Sequence, residues 1–151
     1  SDDDWRETLT PNLDVPFFLR RAALPHLLKA EGSIINVASD WGLGGGERAA
    51  SYCASKGGLV LLTKAMAKDH ARDGLRVNAV CPGDVDTPML AADAKAEGID
   101  VDAYLEEASE AVPSGRIAEP EEVAALTLFL ASEAATHING AAIPIDGGGS
   151  A

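Results

Sequence analysis

Three short runs constrain the fold more than anything else in this chain: "SIINVAS" from Ser33, "LRVNAVCPG" from Leu75 and "AAIPIDGGG" from Ala141. The first is almost wholly apolar and rich in β-branched residues. It lacks the polar–apolar alternation of a half-solvated strand, which marks a strand covered on both faces. "LRVNAVCPG" reads as a second buried strand, broken by Pro82 and Gly83, and "AAIPIDGGG" as a third, ended by its glycines. Helical spacing fills the intervals. "FFLRRAALPHLLKAEG" places Phe17, Phe18, Ala22, Leu24, Leu27 and Leu28 at helical positions and stops at Gly32. A helix of small residues runs from about Ser51 to Arg72, with Gly74 as its stop, and "EPEEVAALTLFLASEAA" opens on Pro120 with acids in its first turn. The order helix, strand, helix, strand, helix, strand predicts an α/β fold: an open, doubly wound parallel sheet with right-handed crossovers and helices on both faces. Three strands alone leave "SIINVAS" with an unpaired edge, an aggregation hazard. The expectation is that a segment outside this sequence pairs with it.

A chain of 151 residues that is 46% hydrophobic and 24% charged has enough apolar material for one domain with a core. Its formal charge of −12, with no basic stripe, argues against a nucleic-acid partner. No apolar run reaches the roughly 20 residues of a membrane span. The acidic opening "SDDDWRETL" is unlike a signal peptide. Cys53 and Cys81 have no CxxC or metal-type spacing, so they read as reduced thiols in a cytoplasmic protein. His26, His70 and His137 are scattered, no metal-ligand spacing occurs, and there is neither a G-x-S-x-G elbow nor an S-x-x-K pair.

In "SYCASKGG", Tyr52 and Lys56 lie one helical turn apart, so both leave the same face among residues small enough to admit a ligand. A phenol titrates near pH 10. The expectation is that the nearby ammonium lowers that value and fits Tyr52 for general acid–base work. Ser39 closes the first strand, at the carboxyl rim where parallel sheets hold ligands, and the second strand delivers Pro82, Gly83 and Thr87 to the same rim. "GGGERA", Gly44 to Ala49, matches a dinucleotide fingerprint formally, but it begins too far beyond the strand; it reads as a flexible loop over the substrate side of the crevice. Trp41 and Leu43 beside it are candidate substrate walls or loop packing.

These residues carry a resemblance. A serine thirteen residues before a Tyr-x-x-x-Lys, "NVAS" closing its strand, "RVNAVCPGDVDTPM", "GRIAEPEEVA", "FLASEAATHINGAAIPIDGG" and "NLDVPFFLRRAALPHL" occur in one order. In this the chain resembles the C-terminal part of a short-chain dehydrogenase/reductase. The resemblance implies a Rossmann-like domain of which residues 1–151 supply about three of seven strands. It implies an NAD- or NADP-dependent oxidoreductase that interconverts a small-molecule alcohol and a ketone or aldehyde. Tyr52 would be its acid–base, and Ser39 would hold the substrate oxygen. Lys56 would tune Tyr52 and bind the nicotinamide ribose, and the carbonyl of Asn12 would hold a proton-relay water. Pro82, Gly83, Val85 and Thr87 would border the nicotinamide. Pro11 and Pro16 remove backbone donors around Asn12, which fits a freed carbonyl there; a helix N-cap at Asn12 fits as well. The resemblance also implies a substrate lid over 88–112, touching substrate through Met89, Leu90 and Tyr104. It implies a homo-oligomer, a dimer or tetramer, through "NLDVPFFLRRAALPHLLKA" and "SYCASKGGLVLLTKAMAKDHA", although Leu59, Leu62, Ala65 and Met66 of the latter suit a core equally. The glycine-rich pyrophosphate turn of the family is not found in this sequence. A non-catalytic half-domain that binds only a partner chain therefore stands beside the enzyme.

Overall fold

The computed structural model describes residues 1–151. It begins with a helix that composition alone did not announce. Helix α1 (Asp2–Leu9) is capped by Ser1, whose Oγ accepts the Asp4 N–H while the Asp4 carboxylate takes the N-terminal ammonium at 2.8 Å. A π-helical turn, Thr10–Asp14, leads directly into α2 (Val15–Lys29). Its cause is local. Pro11 has no N–H for the carbonyl of Glu7, and Pro16 has none for the carbonyl of Asn12. The ladder widens by one residue, so that the Val15 N–H reaches the carbonyl of Thr10. Asn12 therefore lies inside a helical stretch, and the N-cap alternative for it is wrong.

Strands β1 (Ser33–Val37), β2 (Arg76–Pro82) and β3 (Ala142–Ile145) form one parallel sheet in that order, with Asn36 beside Ala79 and Val80 beside Ile143. β2 is central and buried from Val77 to Pro82. One face packs on α2 and on α3 (Ala50–His70): Ala38, Ala79 and Cys81 meet Leu59 and Val60, while Val77 and Leu75 meet Ala67, Leu24 and Leu27. The other face packs on α6 (Pro120–Ala131), where Val80 meets Leu130 and Ala135 beside Ile35 and Ile143. The expectation that β1 is covered on both faces fails at its carboxyl end. Val37 falls on the α6 side by alternation with Ile35, beyond the reach of that single helix, and is 52% exposed. As expected, β1 occupies an edge, pairing only with β2.

Two polar devices fix the layers. The Arg76 guanidinium donates to the carbonyls of Leu130, Ala131, Ser132 and Ala135, where a cation suits the carboxyl end of α6. Buried Asn78 donates to the Ile138 carbonyl and accepts the Ala141 N–H, which sets the entry of β3. Between α2 and β1, Arg20 donates to Asn36, which donates to Thr63 at 2.6 Å. The other terminal nitrogen of that guanidinium, NH1, is buried without a partner. Residues 88–111 form a helical hairpin, α4 (Pro88–Glu97) and α5 (Val101–Ala111), which pack chiefly on each other. Gly98, at φ +72°, ends α4, and Asp100 caps α5 through the Asp102 and Ala103 N–H groups. "DGGG" closes β3 as a turn in which Gly147 and Gly148 have positive φ.

Candidate active site

Every strand ends at one rim, and the sequence brings its polar residues there. β1 runs out into Ala38 and Ser39, both buried, and the chain then turns through a short 3-10 helix, Asp40–Gly42. That turn lies against α3 because Gly42 lacks a side chain: a Cβ on it would sit 2.8 Å from the Lys56 carbonyl carbon. Gly58, two residues beyond Lys56, admits Leu13 of the π turn, whose Cδ2 would be 2.9 Å from a Cβ there. Two glycines thus seat the Ser39 turn and the Asn12 turn against the helix segment that carries Tyr52 and Lys56.

Tyr52 is partly buried, edge-on to Trp41 with ring centroids 6.1 Å apart. Burial raises its phenol above the ordinary value. The Ser39 hydroxyl beside it pulls the other way, and Asp40, Cys53 and Asp84 add to the rise. This reverses the expected direction. The Lys56 ammonium stands over the ring face, 5.6 Å from its centroid, and donates to the Val37 carbonyl at 3.1 Å. There it makes a cation–π contact and leaves the phenol oxygen to feel mainly desolvation. Lys56 is itself lowered by burial, with Cys81 opposing. At neutral pH this tyrosine is a proton donor.

Ser39 Oγ donates to Asp40 Oδ1 at 2.9 Å, and the Trp41 N–H donates to both oxygens, at 3.2 and 2.7 Å. Across the rim, Pro82 ends β2 and the next residues run beside residues 117–119. The Asp86 N–H bonds the Ala118 carbonyl, and the Ala118 N–H bonds the Asp84 carbonyl, each at 2.9 Å. This bridge turns the N–H and C=O of Val85 the opposite way, and neither makes a hydrogen bond within the chain. Thr87 occupies the N-cap of α4, yet its hydroxyl caps nothing. A free backbone donor, a free acceptor and a free hydroxyl are the complement of a carboxamide.

The remaining residues divide. Trp41 touches Tyr52, whereas Leu43 is exposed. Gly46 of the "GGGERA" loop lies on the Trp41 ring, where a Cβ would fall 2.4 Å from it, and its N–H reaches Cys53 Sγ at 3.1 Å. Leu90 is buried, but Met89 is 70% exposed and turned outward. The Tyr104 phenol is raised by partial burial and by Glu97, Asp93 and Asp84. Leu59, offered equally to an interface or to the core, is core. Missed altogether was Asp40, the partner of Ser39. An acid immediately after the candidate serine was in plain view, but no spacing rule marks it.

A sequence model of the family described as "Enoyl-(Acyl carrier protein) reductase" matches residues 1–150. The chain belongs to the short-chain dehydrogenase/reductase family. Within that family it is 50% identical over 149 residues to the meso-2,3-butanediol dehydrogenase of Serratia marcescens, covering 99% of this chain and 57% of that protein. The ligand-free aldohexose dehydrogenase of Thermoplasma acidophilum superposes with a TM-score of 0.94 at 35% identity, over 99% of this chain and 60% of that one. An actinorhodin polyketide ketoreductase variant solved with NADPH gives 0.93 at 33% identity, over 99% and 60%. The short-chain dehydrogenase/reductase sheet is therefore the one seen here, and the chain spans little more than half the length of these relatives.

Proposed function

We propose that this chain carries the catalytic part of an NAD- or NADP-dependent oxidoreductase that interconverts a small-molecule alcohol and its carbonyl. The observation that carries the reading is the convergence at one rim of Ser39, Tyr52 and Lys56 with the unbonded Val85 backbone and Thr87 hydroxyl. When bound, the nicotinamide cofactor supplies or accepts the hydride. The N–H and C=O of Val85 and the hydroxyl of Thr87 would hold its carboxamide, with Pro82 and Gly83 bordering the ring. Lys56, close enough to hydrogen-bond the Val37 carbonyl, would hold ribose hydroxyls. Tyr52, kept protonated by burial, gives its proton to the oxygen of a carbonyl being reduced and recovers it from an alcohol being oxidised. Ser39 holds that oxygen in place. Asn12 sits in the π turn, where Pro16 denies its carbonyl the usual helical donor; that carbonyl would hold the water passing protons onward.

The α4–α5 hairpin serves as the lid over residues 88–112. Its support is weak attachment to the body and the nearness of Tyr104 to Asp84. Among the lid residues, buried Leu90 is better placed than Met89 to line a pocket. Exposed Phe17, Phe18, Leu19 and Leu61 on α2 and α3 support association of two copies through these helices.

The test is turnover of meso-2,3-butanediol with NAD and NADP, alongside binding of NADH and NADPH by fluorescence. Tyr52→Phe is expected to lower kcat by about 10²–10⁴-fold while leaving cofactor binding nearly intact. Absence of both binding and turnover in the unmodified protein would favour the half-domain that only binds a partner chain.

A further inference from the structure

Three acidic residues meet where β2 ends, and only one of them has a free carboxylate. Gly83 is pressed between two of them: a Cβ on it would lie 3.0 Å from Asp146 Cβ and 3.5 Å from Asp40 Oδ2. The Asp146 carboxylate accepts the Gly148 and Ser150 N–H groups and the Ser150 hydroxyl, closing the last turn. The Asp40 carboxylate accepts the Ser39 hydroxyl and the Trp41 N–H. Asp84 is held by its backbone, whose carbonyl takes the Ala118 N–H at 2.9 Å, but its exposed carboxylate accepts no hydrogen bond. It bears on Tyr52 on one side and on Tyr104 of the lid on the other. The other charges that bear most on these three side chains are the carboxylates of Asp40, Asp93, Glu97 and Glu107, beside the Cys53 thiol; no lysine or arginine stands among them. Lys56 lies over the Tyr52 ring and donates to the Val37 carbonyl, and the acidic lid has Lys95 as its one base. The place of a ligand is marked independently, by the unbonded N–H and C=O of Val85 and the free Thr87 hydroxyl, which follow Asp84 in the chain.

We propose that Asp84 sets the charge of the substrate: the crevice takes a neutral polyol, or an alcohol that bears an ammonium group, and refuses one that bears a carboxylate or a phosphate. The proposal rests on the oxidoreductase reading for the reaction and goes beyond it in naming the substrate class. A carboxylate oxygen only accepts. Beyond the oxygen that Ser39 and Tyr52 hold, Asp84 can therefore grip a second hydroxyl or an ammonium, and it has nothing to offer another anion. An anion brought there would also exchange water for carboxylates on three elements: the Asp40 turn, the segment after β2 and the lid.

Propylene glycol, isopropanolamine and lactate share one secondary alcohol and differ in the charge beside it. Asp84→Asn keeps the size of the side chain and removes its charge. Relative to propylene glycol, that variant should raise kcat/KM for lactate about fivefold and lower it for isopropanolamine by a similar factor, and both shifts should shrink as salt is added. An unchanged preference between lactate and isopropanolamine would overturn the proposal. Two further readouts need no turnover. In a Trp5→Phe background Trp41 is the only tryptophan, edge-on to Tyr52, and its fluorescence follows binding of the same three compounds. Isopropanolamine should bind ahead of propylene glycol and lactate last, with the spread narrowed by Asp84→Asn. In a Tyr104→Phe background Tyr52 is the only tyrosine, and its phenolate absorbance can be titrated directly. Asp84→Asn should let that phenol ionise at lower pH, because one of the negative neighbours opposing the phenolate is gone. A Tyr52 titration indifferent to Asp84 would mean that the carboxylate faces elsewhere, and would overturn the proposal as well. If none of the three alcohols is oxidised while the binding order and its dependence on Asp84 hold, the oxidoreductase reading falls and the charge selection stands.

Discussion

The turn that carries Ser39 can lie against the helix of Tyr52 only because Gly42 has no side chain. A methyl there would lie 2.8 and 2.9 Å from the carbonyl carbon and oxygen of Lys56, backbone atoms that cannot swing aside. Gly42→Ala should destabilise the fold by about 1–3 kcal/mol, the usual cost of overpacking, measured by urea denaturation. Because the displaced turn carries Ser39 and Asp40, turnover should fall with it. The candidates Tyr52 and Lys56 were marked by one helical turn and Ser39 by its place at a strand end, and the thirteen-residue interval between Ser39 and Tyr52 drew them together through the family resemblance. The direction of the Tyr52 shift was not legible. It depends on how deeply the ring is buried and on which carbonyl the lysine finds, and neither has a signature along the chain. Asp40 escaped for the same reason, since its contact with Ser39 comes from a rotamer and not from a period.

At the level of elements, the helices that the sequence announced by apolar spacing or capping signals are present. The one it hid, α1, is polar, and its start depends on the Ser1–Asp4 capping box. Proline placement predicted a disturbance near Asn12, and its form as a π turn follows from two missing donors in one stretch. The start of α6 shows how a local pair serves the architecture. Glu122 accepts from both arms of Arg116 at 2.7 Å and from the Glu119 N–H at 2.9 Å, and it is lowered from 4.5 to about 2, first by Arg116 and then by that backbone contact. A carboxyl lowered in the folded state contributes stability that is present above its unfolded value and lost as pH falls through its folded one. The melting-temperature gap between the unmodified protein and Glu122→Gln should therefore be steady above pH ~5 and close as pH falls toward ~2. A gap that persists unchanged in acid would mean the pair contributes through packing instead of charge.

On the scale of the molecule, the parallel sheet and the open edge of β1 were foreseen from three apolar runs, because a run that cannot alternate must be covered; the order of the strands was not. What the runs could not convey is the unequal coating. Two helices cover one face and a single helix the other, which leaves Val37 half exposed; its carbonyl, turned away from β2 at the open edge, is the one that accepts from Lys56. The sheet thus holds the site together from two elements: the β1 rim supplies Ser39, and α3 supplies Tyr52 and Lys56. Groups acting as one unit lose their function non-additively. The most direct measurement is kcat/KM for alcohol oxidation in Ser39→Ala, Tyr52→Phe and the double variant. We expect the double variant to be about as slow as Tyr52→Phe alone. Two losses that multiply as independent factors, or a Tyr52→Phe protein as fast as the original, would contradict the account.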